Sequence, residues 1–328
     1  MGIISSLAEQ IKGKDLKIVY PEGTDVRILG AATRHLKDEI LHPIVLGNPD
    51  EIKKVADENN FDIEGLDIVD PANYEGFDRF VEAFVERRKG KATEEQAREM
   101  LKDNNYFGTM LVYLDLADGM VSGAVGTTGD TIRPGLQIIK TKPGTKVVSG
   151  AMVMVGPNEE RYIFADIAVN INPEAEQLAD IADSSAETAK LFGIDPKVAL
   201  LSFSTMGSAS SPEQEKVAEA ARIAKEQFPN LVVDGEMQFD AALVPVVGER
   251  KAPGSPVAGH ANVFIFPDLQ SGNIGYKIAE RLGGFEALGP ILQGMAKPVN
   301  DLSRGCNEDD AYKLAIITAS SALMDKEQ

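Results

Sequence analysis

The chain has 328 residues, of which 43% are hydrophobic and 26% are charged. This composition is typical of a globular protein with one or two domains and excludes a disordered tail, a collagen-like chain or a disulfide-stapled miniprotein. Acidic side chains outnumber basic ones by 51 to 33, a net charge of −18, which makes nucleic acids and anionic membranes unfavourable partners. The single cysteine, Cys306, cannot form an internal disulfide, and no apolar run is long enough to span a membrane. Together these features predict a cytoplasmic protein.

Short apolar runs that predict strands alternate with amphipathic stretches that predict helices along almost the whole chain. The predicted strands are residues 16–20, 44–46, 119–124, 146–155, 161–168, 198–203, 231–233 and 263–266. The predicted helices are residues 25–37, one beginning at 48–50, several pieces within 76–116, a run at 136–140, then 174–193, 211–228, 270–282 and 307–324. This alternation on both sides of position 145 predicts an α/β protein with two doubly wound units.

The common nucleotide, zinc and hydrolase motifs are absent from the sequence. It contains no Gly-x-Gly-x-x-Gly after a strand, no Walker-type loop and no Gly-x-Ser-x-Gly. The three histidines, His35, His42 and His260, are far apart and form no His-Glu-x-x-His motif. We therefore predict no metal ion and no tightly bound cofactor, and we expect any acid–base chemistry to depend on a carboxylate.

The segment 302–310, Leu-Ser-Arg-Gly-Cys-Asn-Glu-Asp-Asp, is the strongest local signal for a site. A polar loop with Ser303 and Arg304 runs into a helix N-terminus, where Asn307 is a suitable N-cap. The unsatisfied N–H groups and partial positive charge of a helix N-terminus, together with a guanidinium, predict an anion site. The alternative is that the acidic residues 308–310 only complement the helix dipole and that the loop is a solvated turn.

Two further strand-to-helix loops, residues 125–135 and 203–212, are rich in Gly, Ser and Thr. Backbone N–H groups in such loops can approach an anion, hydroxyls such as that of Thr128 can donate, and Arg133 adds charge. The basic run at 87–91, Arg-Arg-Lys-Gly-Lys, can attract a polyanionic ligand in an otherwise acidic protein. Ordinary turn chemistry and a solvated helix end are the alternatives. Together with the segment 302–310, these two loops make three candidate anion-binding loops in one chain, which favours a phosphorylated ligand.

Six segments in a fixed order form a specific set: residues 84–93, 127–137, 201–208, 234–241, 266–277 and 289–305. With this set the chain resembles the phosphate acetyltransferase (phosphotransacetylase) family, in its short form, along essentially the whole length. Met206 departs from the lysine that many members have. The resemblance implies two three-layer α/β/α domains with a cleft between them, in an architecture like that of the isocitrate and isopropylmalate dehydrogenases. It also implies a homodimer, a discontinuous first domain (1–146 plus 297–328) and a second domain at 147–296.

The resemblance implies reversible transfer of an acetyl group between coenzyme A and orthophosphate, giving acetyl phosphate, with coenzyme A as a substrate. By the matching motifs, Asp310 is the base for the coenzyme A thiol, Ser303 positions that thiol and Arg304 stabilises the transition state. The residues that the resemblance assigns to substrate binding are Arg87, Arg133, Arg281, Thr128 and Asn273. Asp309 is a rival for the base, and only the family pattern favours its neighbour.

Several alternatives remain open at this point. The acyl group could be longer, such as butyryl, because the size of the site is not visible in the sequence. A nicotinamide-dependent decarboxylating dehydrogenase has a similar two-domain architecture, but it would need a carboxylate cluster for a metal and a nicotinamide site. A non-enzymatic phospho-ligand-binding domain would bind coenzyme A without turnover, although the set Ser303, Arg304 and Asp310 argues against it. Cys306 could act as a thiol nucleophile or be a packed small residue.

Overall fold

Two β-sheets organise residues 2–327, the part of the chain that the computed structural model describes. The strands are β1 (Lys17–Tyr20), β2 (His42–Leu46), β3 (Asp67–Val69), β4 (Gly119–Ser122), β5 (Ser149–Val155), β6 (Arg161–Ala165), β7 (Val198–Leu201), β8 (Val233–Met237), β9 (Val263–Ile265), β10 (Glu286–Gln293) and β11 (Val299–Asp301). The α-helices are α1 (Ile3–Ile11), α2 (Val26–Asp38), α3 (Pro49–Asn59), α4 (Phe77–Arg88), α5 (Glu94–Met100), α6 (Asn104–Tyr113), α7 (Thr128–Pro134), α8 (Ala175–Leu191), α9 (Pro212–Gln227), α10 (Phe239–Leu243), α11 (Pro245–Lys251), α12 (Leu269–Gly283) and α13 (Glu308–Glu327). One compact unit contains the residues up to Lys142 and those from Met295 onward, and another contains residues 143–294.

The sheet of the first unit is parallel, with the strand order β11-β4-β1-β2-β3. Its central strand β1, Lys-Ile-Val-Tyr, is almost completely buried, as expected for a parallel strand covered by helices. Helix α13 contacts both α1 and α2, and α6 contacts β1 and β4. Because β11 and α13 come from the last part of the sequence, both ends of the chain contribute to this unit.

The sheet of the second unit is mixed, with the strand order β10-β5-β6-β9-β7-β8. The hairpin β5–β6 is antiparallel and β10 pairs antiparallel with β5, whereas β6, β9, β7 and β8 form a parallel series. Its core includes an aromatic cluster in which the Phe164 ring lies 5.6 Å from Phe264 and 5.2 Å from Phe266, measured between ring centroids. Both rings are buried with Phe164, so they fix the packing of this unit.

The predicted α/β fold class is confirmed by these two sheets and their helices. Some predicted elements differ from the structure. The strand expected at 231–233 is found at Val233–Met237, and the helical run expected at 136–140 is a π-helix over Gly135–Ile139. Strands β3, β10 and β11 were not predicted. Within residues 2–327, no helix is both long enough and apolar enough to cross a membrane.

A buried histidine makes the stability of the first unit depend on pH. The ring of His35 in α2 is fully buried and stacks on the Tyr312 ring of α13, with the centroids 4.1 Å apart. Burial lowers the pKa of His35 from 6.5 to about 3. Below pH 6.5 the unfolded chain therefore binds a proton here that the folded chain does not. The part of the folding stability that is linked to neutral His35 is fully present above this pH, and it is lost as the pH drops toward 3.

We expect His35 to remove about 2 kcal/mol of stability between about pH 7.5 and pH 5. The His35→Phe variant, which keeps a ring for stacking on Tyr312, should lack this loss. His42, whose side chain is 33% exposed and pairs with Asp67, provides a control when it is replaced by Gln, and this variant should retain the loss. Urea unfolding of the three proteins at both pH values measures the difference. An equal pH dependence in wild type and His35→Phe would contradict the prediction.

Candidate active site

The candidate active site lies at one edge of the parallel sheet in the first unit. Strands β1, β4 and β11 are parallel neighbours, so the loops that follow them leave the sheet at the same edge. These loops are residues 21–25, 123–127 and 302–307. Two segments that the sequence singled out, 125–135 and 302–310, therefore meet here, together with the loop between β1 and α2.

Arg304 is held across this edge by four acceptors. Its Nε donates to the Gly126 carbonyl at 2.6 Å, and its Nη2 donates to Thr128 Oγ1 at 3.0 Å. Its Nη1 donates to the Leu302 carbonyl at 3.0 Å and to Asp301 Oδ2 at 3.4 Å. The side chain is nevertheless 41% exposed. A guanidinium of fixed orientation is therefore accessible to an anionic ligand.

Asp301 is the buried carboxylate that joins Thr128 to Arg304. Thr128 Oγ1 donates to Asp301 Oδ2 at 2.7 Å while it accepts from the guanidinium of Arg304. Burial raises the pKa of Asp301, and the bonds from Thr128 and Arg304 act in the opposite direction. The hydroxyl hydrogen of Thr128 is thus already used inside the protein, so any contact with a substrate would involve its remaining lone pair or its backbone N–H.

Ser303 begins the tight turn that leads into α13. Its Oγ accepts from the Gly305 N–H at 3.3 Å, and its carbonyl accepts from the Cys306 N–H at 2.9 Å. Asn307 and Asp310 then cap the helix reciprocally. Asn307 Oδ1 accepts from the Asp310 N–H at 3.0 Å, and Asp310 Oδ2 accepts from the Asn307 N–H at 2.9 Å. Both Ser303 and Asp310 are exposed, so the turn and the first helical turn present a hydroxyl and a carboxylate to solvent.

Asp309, the other candidate for the base, forms an ion pair through each of its two carboxylate oxygens. Arg34 Nη1 donates to its Oδ1 at 2.9 Å, and Lys313 Nζ lies 2.9 Å from its Oδ2. The hydrogen bonds from Lys313 and Arg34 hold the pKa of Asp309 below its usual range. A carboxylate stabilised in this way is a weaker proton acceptor. The contacts of Asp309 thus favour its neighbour Asp310 as the base.

Glu22, which the sequence analysis did not single out, fills the Gly-rich loop after β4. Its Oε2 accepts from the Gly123 and Ala124 N–H groups at 3.0 and 2.7 Å. Its Oε1 accepts from the Val125 and Gly126 N–H groups at 2.9 and 3.0 Å. These N–H groups bind an anion as predicted for such a loop, but the anion is the protein's own carboxylate. They are not available to a phosphate.

The loop at 203–212 in the second unit is filled in the same way. Glu236 is buried, and its Oε1 accepts from the Gly207 N–H at 2.8 Å and from Ser204 Oγ at 2.9 Å. The Ser208 hydroxyl caps the Thr205 N–H at 3.0 Å. Ordinary internal turn chemistry therefore accounts for the polar residues of this loop.

The two arginines expected to bind coenzyme A have different surroundings. The guanidinium of Arg87 donates to the carbonyls of Ile138 and Ile139, which end the π-helix, and it lies over the Tyr113 ring. Arg133, in the last turn of α7, is exposed, and among the described residues it forms no hydrogen bond or ion pair. Arg133 is therefore free to bind a ligand, whereas Arg87 already has a structural role.

The basic run at 87–91 and Lys140 form one positive cluster. The guanidinium of Arg87 lowers the pKa of Lys140 most strongly, and burial, Lys89, Lys91 and Arg88 act in the same direction. Cations that disfavour one another's charge create a strong local positive potential in a chain of net charge −18. This cluster is therefore suited to attract a polyanion.

The remaining predicted residues, Asn273 and Arg281, lie on α12 in the second unit. Asn273 Nδ2 donates to the Ile167 carbonyl at 3.0 Å, and its Oδ1 accepts from Lys277 Nζ at 2.7 Å. Arg281 is 78% exposed and pairs with Glu280 at 3.5 Å. The first unit thus contains Ser303, Arg304, Asp310 and Thr128, and it also contains Arg87 and Arg133, the two arginines expected to bind coenzyme A. Asn273 and Arg281 belong to the other unit.

Two α/β units and a sheet edge with guanidinium, hydroxyl and carboxylate groups fit an α/β enzyme that handles anionic substrates. In residues 2–327, no group of three or more His, Cys, Asp and Glu side chains is arranged to hold a metal ion. The family model described as phosphate acetyl/butaryl transferase matches residues 2–319. The chain belongs to this family, which confirms the resemblance found in the sequence.

Individual relatives agree with the family match. A phosphate acetyltransferase of Bacillus subtilis (strain 168) is 61% identical over 98% of this chain and 99% of the relative. A crystal structure of a phosphotransacetylase from Streptococcus pyogenes has 57% sequence identity and a TM-score of 0.96, over 98% of both chains. A putative 4-hydroxythreonine-4-phosphate dehydrogenase from Salmonella typhimurium, with 11% identity and a TM-score of 0.55 over 94% of this chain and 99% of that chain, shares the fold alone.

Proposed function

We propose that the chain catalyses the reversible transfer of an acetyl group between coenzyme A and orthophosphate, with direct attack of the thiolate in a ternary complex. The observation that supports this most strongly is one sheet edge with the exposed Arg304 guanidinium, the Ser303 hydroxyl and the Asp310 carboxylate. The phosphate acetyltransferase of Bacillus subtilis, 61% identical over nearly the full length, supports acetyl as the group transferred.

In the direction of acetyl-CoA formation, Asp310 accepts the proton of the coenzyme A thiol. The sulfur attacks the acetyl carbonyl carbon, and the bond from that carbon to the phosphate oxygen breaks, so that phosphate leaves with the electron pair. Arg304 stabilises the negative charge that develops on the sulfur and the carbonyl oxygen. Ser303 orients the sulfur through its hydroxyl. All three roles are proposals for this chain.

The energetic cost of the proton transfer fits such a reaction. An ordinary thiol has a pKa of about 8.5 and an ordinary aspartic acid about 3.9, a difference worth about 6 kcal/mol. Turnover of about 10 to 1,000 per second corresponds to barriers of about 13–16 kcal/mol. The step therefore takes a large but tolerable share of the barrier. The positive charge of Arg304 lowers it because a nearby cation favours the thiolate.

The proposal is tested by mixing the protein with acetyl phosphate and coenzyme A and following the thioester absorbance. Rapid thioester formation, faster with acetyl phosphate than with butyryl phosphate, is the expected result. A preference for butyryl phosphate would correct the acyl group. Coenzyme A binding without thioester formation would overturn the proposal in favour of a binding domain. A substrate-dependent change at the nicotinamide absorbance would instead favour a dehydrogenase.

We expect Arg133→Gln to raise the Michaelis constant for coenzyme A more than it lowers kcat. An anchor for a phosphate acts in the ground state and the transition state alike, so its loss weakens binding. Arg87→Gln should raise the same constant and should also lower the unfolding midpoint, because two carbonyls would lose their donor. Steady-state kinetics with coenzyme A and dephospho-coenzyme A, with thermal unfolding, measure both effects.

Arg98 provides the matched control for these two variants. It is an arginine of the first unit that pairs only with surface carboxylates, Asp78 and Glu94, among the described residues. Arg98→Gln should leave both kinetic constants unchanged. An unchanged Michaelis constant for coenzyme A in both Arg87→Gln and Arg133→Gln would refute the assignment of these arginines.

We expect Cys306→Ala to keep kcat within about threefold of wild type, the scale of one weak hydrogen bond. Cys306 is buried, and burial raises the pKa of its thiol, so the thiolate needed for nucleophilic attack is disfavoured. Mass spectrometry after incubation with acetyl phosphate should find no acetyl adduct on the protein. A trapped adduct, with loss of turnover in the alanine variant, would show a covalent mechanism instead.

The assembly and location are also proposals. A homodimer is supported by an apolar stripe on α12, where Ile274, Ile278 and Leu282 recur at helical spacing and are 56%, 53% and 84% exposed. Sedimentation equilibrium measures the oligomeric state directly.

A cytoplasmic location is supported by the free thiol of Cys306. We place the domain boundaries near residues 146 and 297, close to the unit limits at Lys142 and Met295.

A further inference from the structure

We infer that the loop between β1 and α2, together with the first turn of α2, is a positioning element for the candidate active site, and that Glu22 in the loop and Arg27 in the helix are its positioning residues. Neither residue belongs to the set proposed to touch the substrates. The inference rests on the proposed function of Arg304, because both residues act through the loops that hold it.

Arg27 uses all five of its guanidinium N–H groups. Its Nε and one Nη2 hydrogen donate to the two carboxylate oxygens of Asp25, each at 2.9 Å. The other Nη2 hydrogen donates to the Ala124 carbonyl at 2.9 Å. The two Nη1 hydrogens donate to the carbonyls of Arg304 and Cys306, at 2.9 and 3.1 Å. A lysine has three donors around one point and cannot reproduce this planar arrangement.

Glu22 complements Arg27 on the loop after β4. Glu22 accepts the N–H groups of residues 123–126, and Arg27 donates to a carbonyl of the same loop. Two residues only five positions apart in the sequence thus bind both the N–H groups and a carbonyl group of this loop. Without these partners the backbone groups of this partly exposed loop would bind water instead, and the loop would lose its fixed conformation.

The backbone carbonyl and the guanidinium of Arg304 both depend on this arrangement. Its backbone carbonyl accepts from Arg27 Nη1. Its side-chain Nε donates to the Gly126 carbonyl, in the loop whose N–H groups Glu22 holds. Arg27 therefore holds the main chain of Arg304 directly, and Glu22 and Arg27 together hold the loop that accepts from its guanidinium. A displacement of about 1 Å in such a group can lower turnover about a hundredfold.

The test compares Arg27→Gln, Arg27→Lys and Glu22→Gln with wild type and with the control Arg98→Gln. We expect kcat to fall about tenfold to a hundredfold in the Arg27 variants and in Glu22→Gln, with little change in the Michaelis constant for coenzyme A. Arg27→Lys should recover little, because charge alone does not restore the five bonds. If Arg27→Gln does not fold, Glu22→Gln, which keeps the size of the side chain, provides the same comparison.

A double variant separates positioning from a general structural role. In the Arg304→Gln background, Arg27→Gln should lower kcat only slightly further, because the group that it positions is already absent. Losses that multiply fully, or variants that keep wild-type kcat, would overturn the inference. If wild type forms no acetyl-CoA, or Arg304→Gln is fully active, the proposed function fails first. If only Arg304→Gln is impaired, the positioning inference alone is wrong.

Discussion

Replacing Arg304 with glutamine should lower kcat for acetyl-CoA formation by about a hundredfold or more, the usual scale for the loss of one electrostatic stabiliser. The exposed guanidinium supplies a fixed positive charge, and glutamine supplies none. Glutamine would also lose the paired bonds to the Gly126 carbonyl and Thr128 Oγ1. The Arg304→Lys variant should recover part of the activity, because it restores charge without the planar fork.

The measurement is steady-state kinetics of thioester formation across a range of pH. A higher pH increases the thiolate fraction of coenzyme A but does not replace the charge at Arg304, so it should not rescue Arg304→Gln. Equal activity of Arg304→Gln and wild type would contradict the role of this arginine. Recovery at high pH would show that the arginine acts only by favouring thiol ionisation.

Replacing Asp310 with asparagine should also lower kcat by about a hundredfold or more, the scale for losing a general base. Asparagine keeps an oxygen that can accept from the Asn307 N–H, so the helix cap remains and the variant isolates the loss of basicity. Raising the pH should partly rescue this variant, because more coenzyme A becomes thiolate without a base. The pH profile of kcat is the decisive measurement.

Asp309→Asn is the matched control for that variant. It changes the same side chain one residue away, and it removes the ion pairs with Arg34 and Lys313. We expect a lower unfolding midpoint but nearly wild-type kcat. If Asp309→Asn is the inactive variant and Asp310→Asn is active, the base is one residue away from our assignment. If neither affects kcat, the acidic run only complements the dipole of α13.

Most strands and helices could be predicted because their apolar pattern is local. The exceptions have physical causes. β10 contains Gly289-Pro290, which predicts a turn, but β10 is an edge strand with an irregular register between Leu288 and Ile291. Edge strands and bulges tolerate proline because no hydrogen bond is lost there. β8 contains the polar run Asp-Gly-Glu, and its Asp234 is buried with Ser255 Oγ and Lys225 Nζ as partners.

The reactive residues of the candidate site could be predicted from the sequence, but the residues that hold them in place could not. Ser303, Arg304 and Asp310 share one short segment, so a local pattern reveals them. Glu22 acts on N–H groups about a hundred positions away, and only the parallel order of β1 and β4 brings them together. The Pro-Glu-Gly sequence after a buried strand was the only local sign. An alternation of strands and helices gives the class of sheet but not its strand order.

The discontinuous first unit has a consequence for synthesis of the chain. Residues 143–294 are contiguous, so every strand of the second sheet is available before β11 and α13 have been translated. Because domains fold as their residues emerge, we expect the second unit to fold first and the candidate active site to form last. A chain that stops before Val299 would leave β4, paired only with β1, as the exposed edge strand of its sheet. Such a product would have no Ser303 or Arg304 and would therefore be inactive. Its exposed strand edge would favour aggregation.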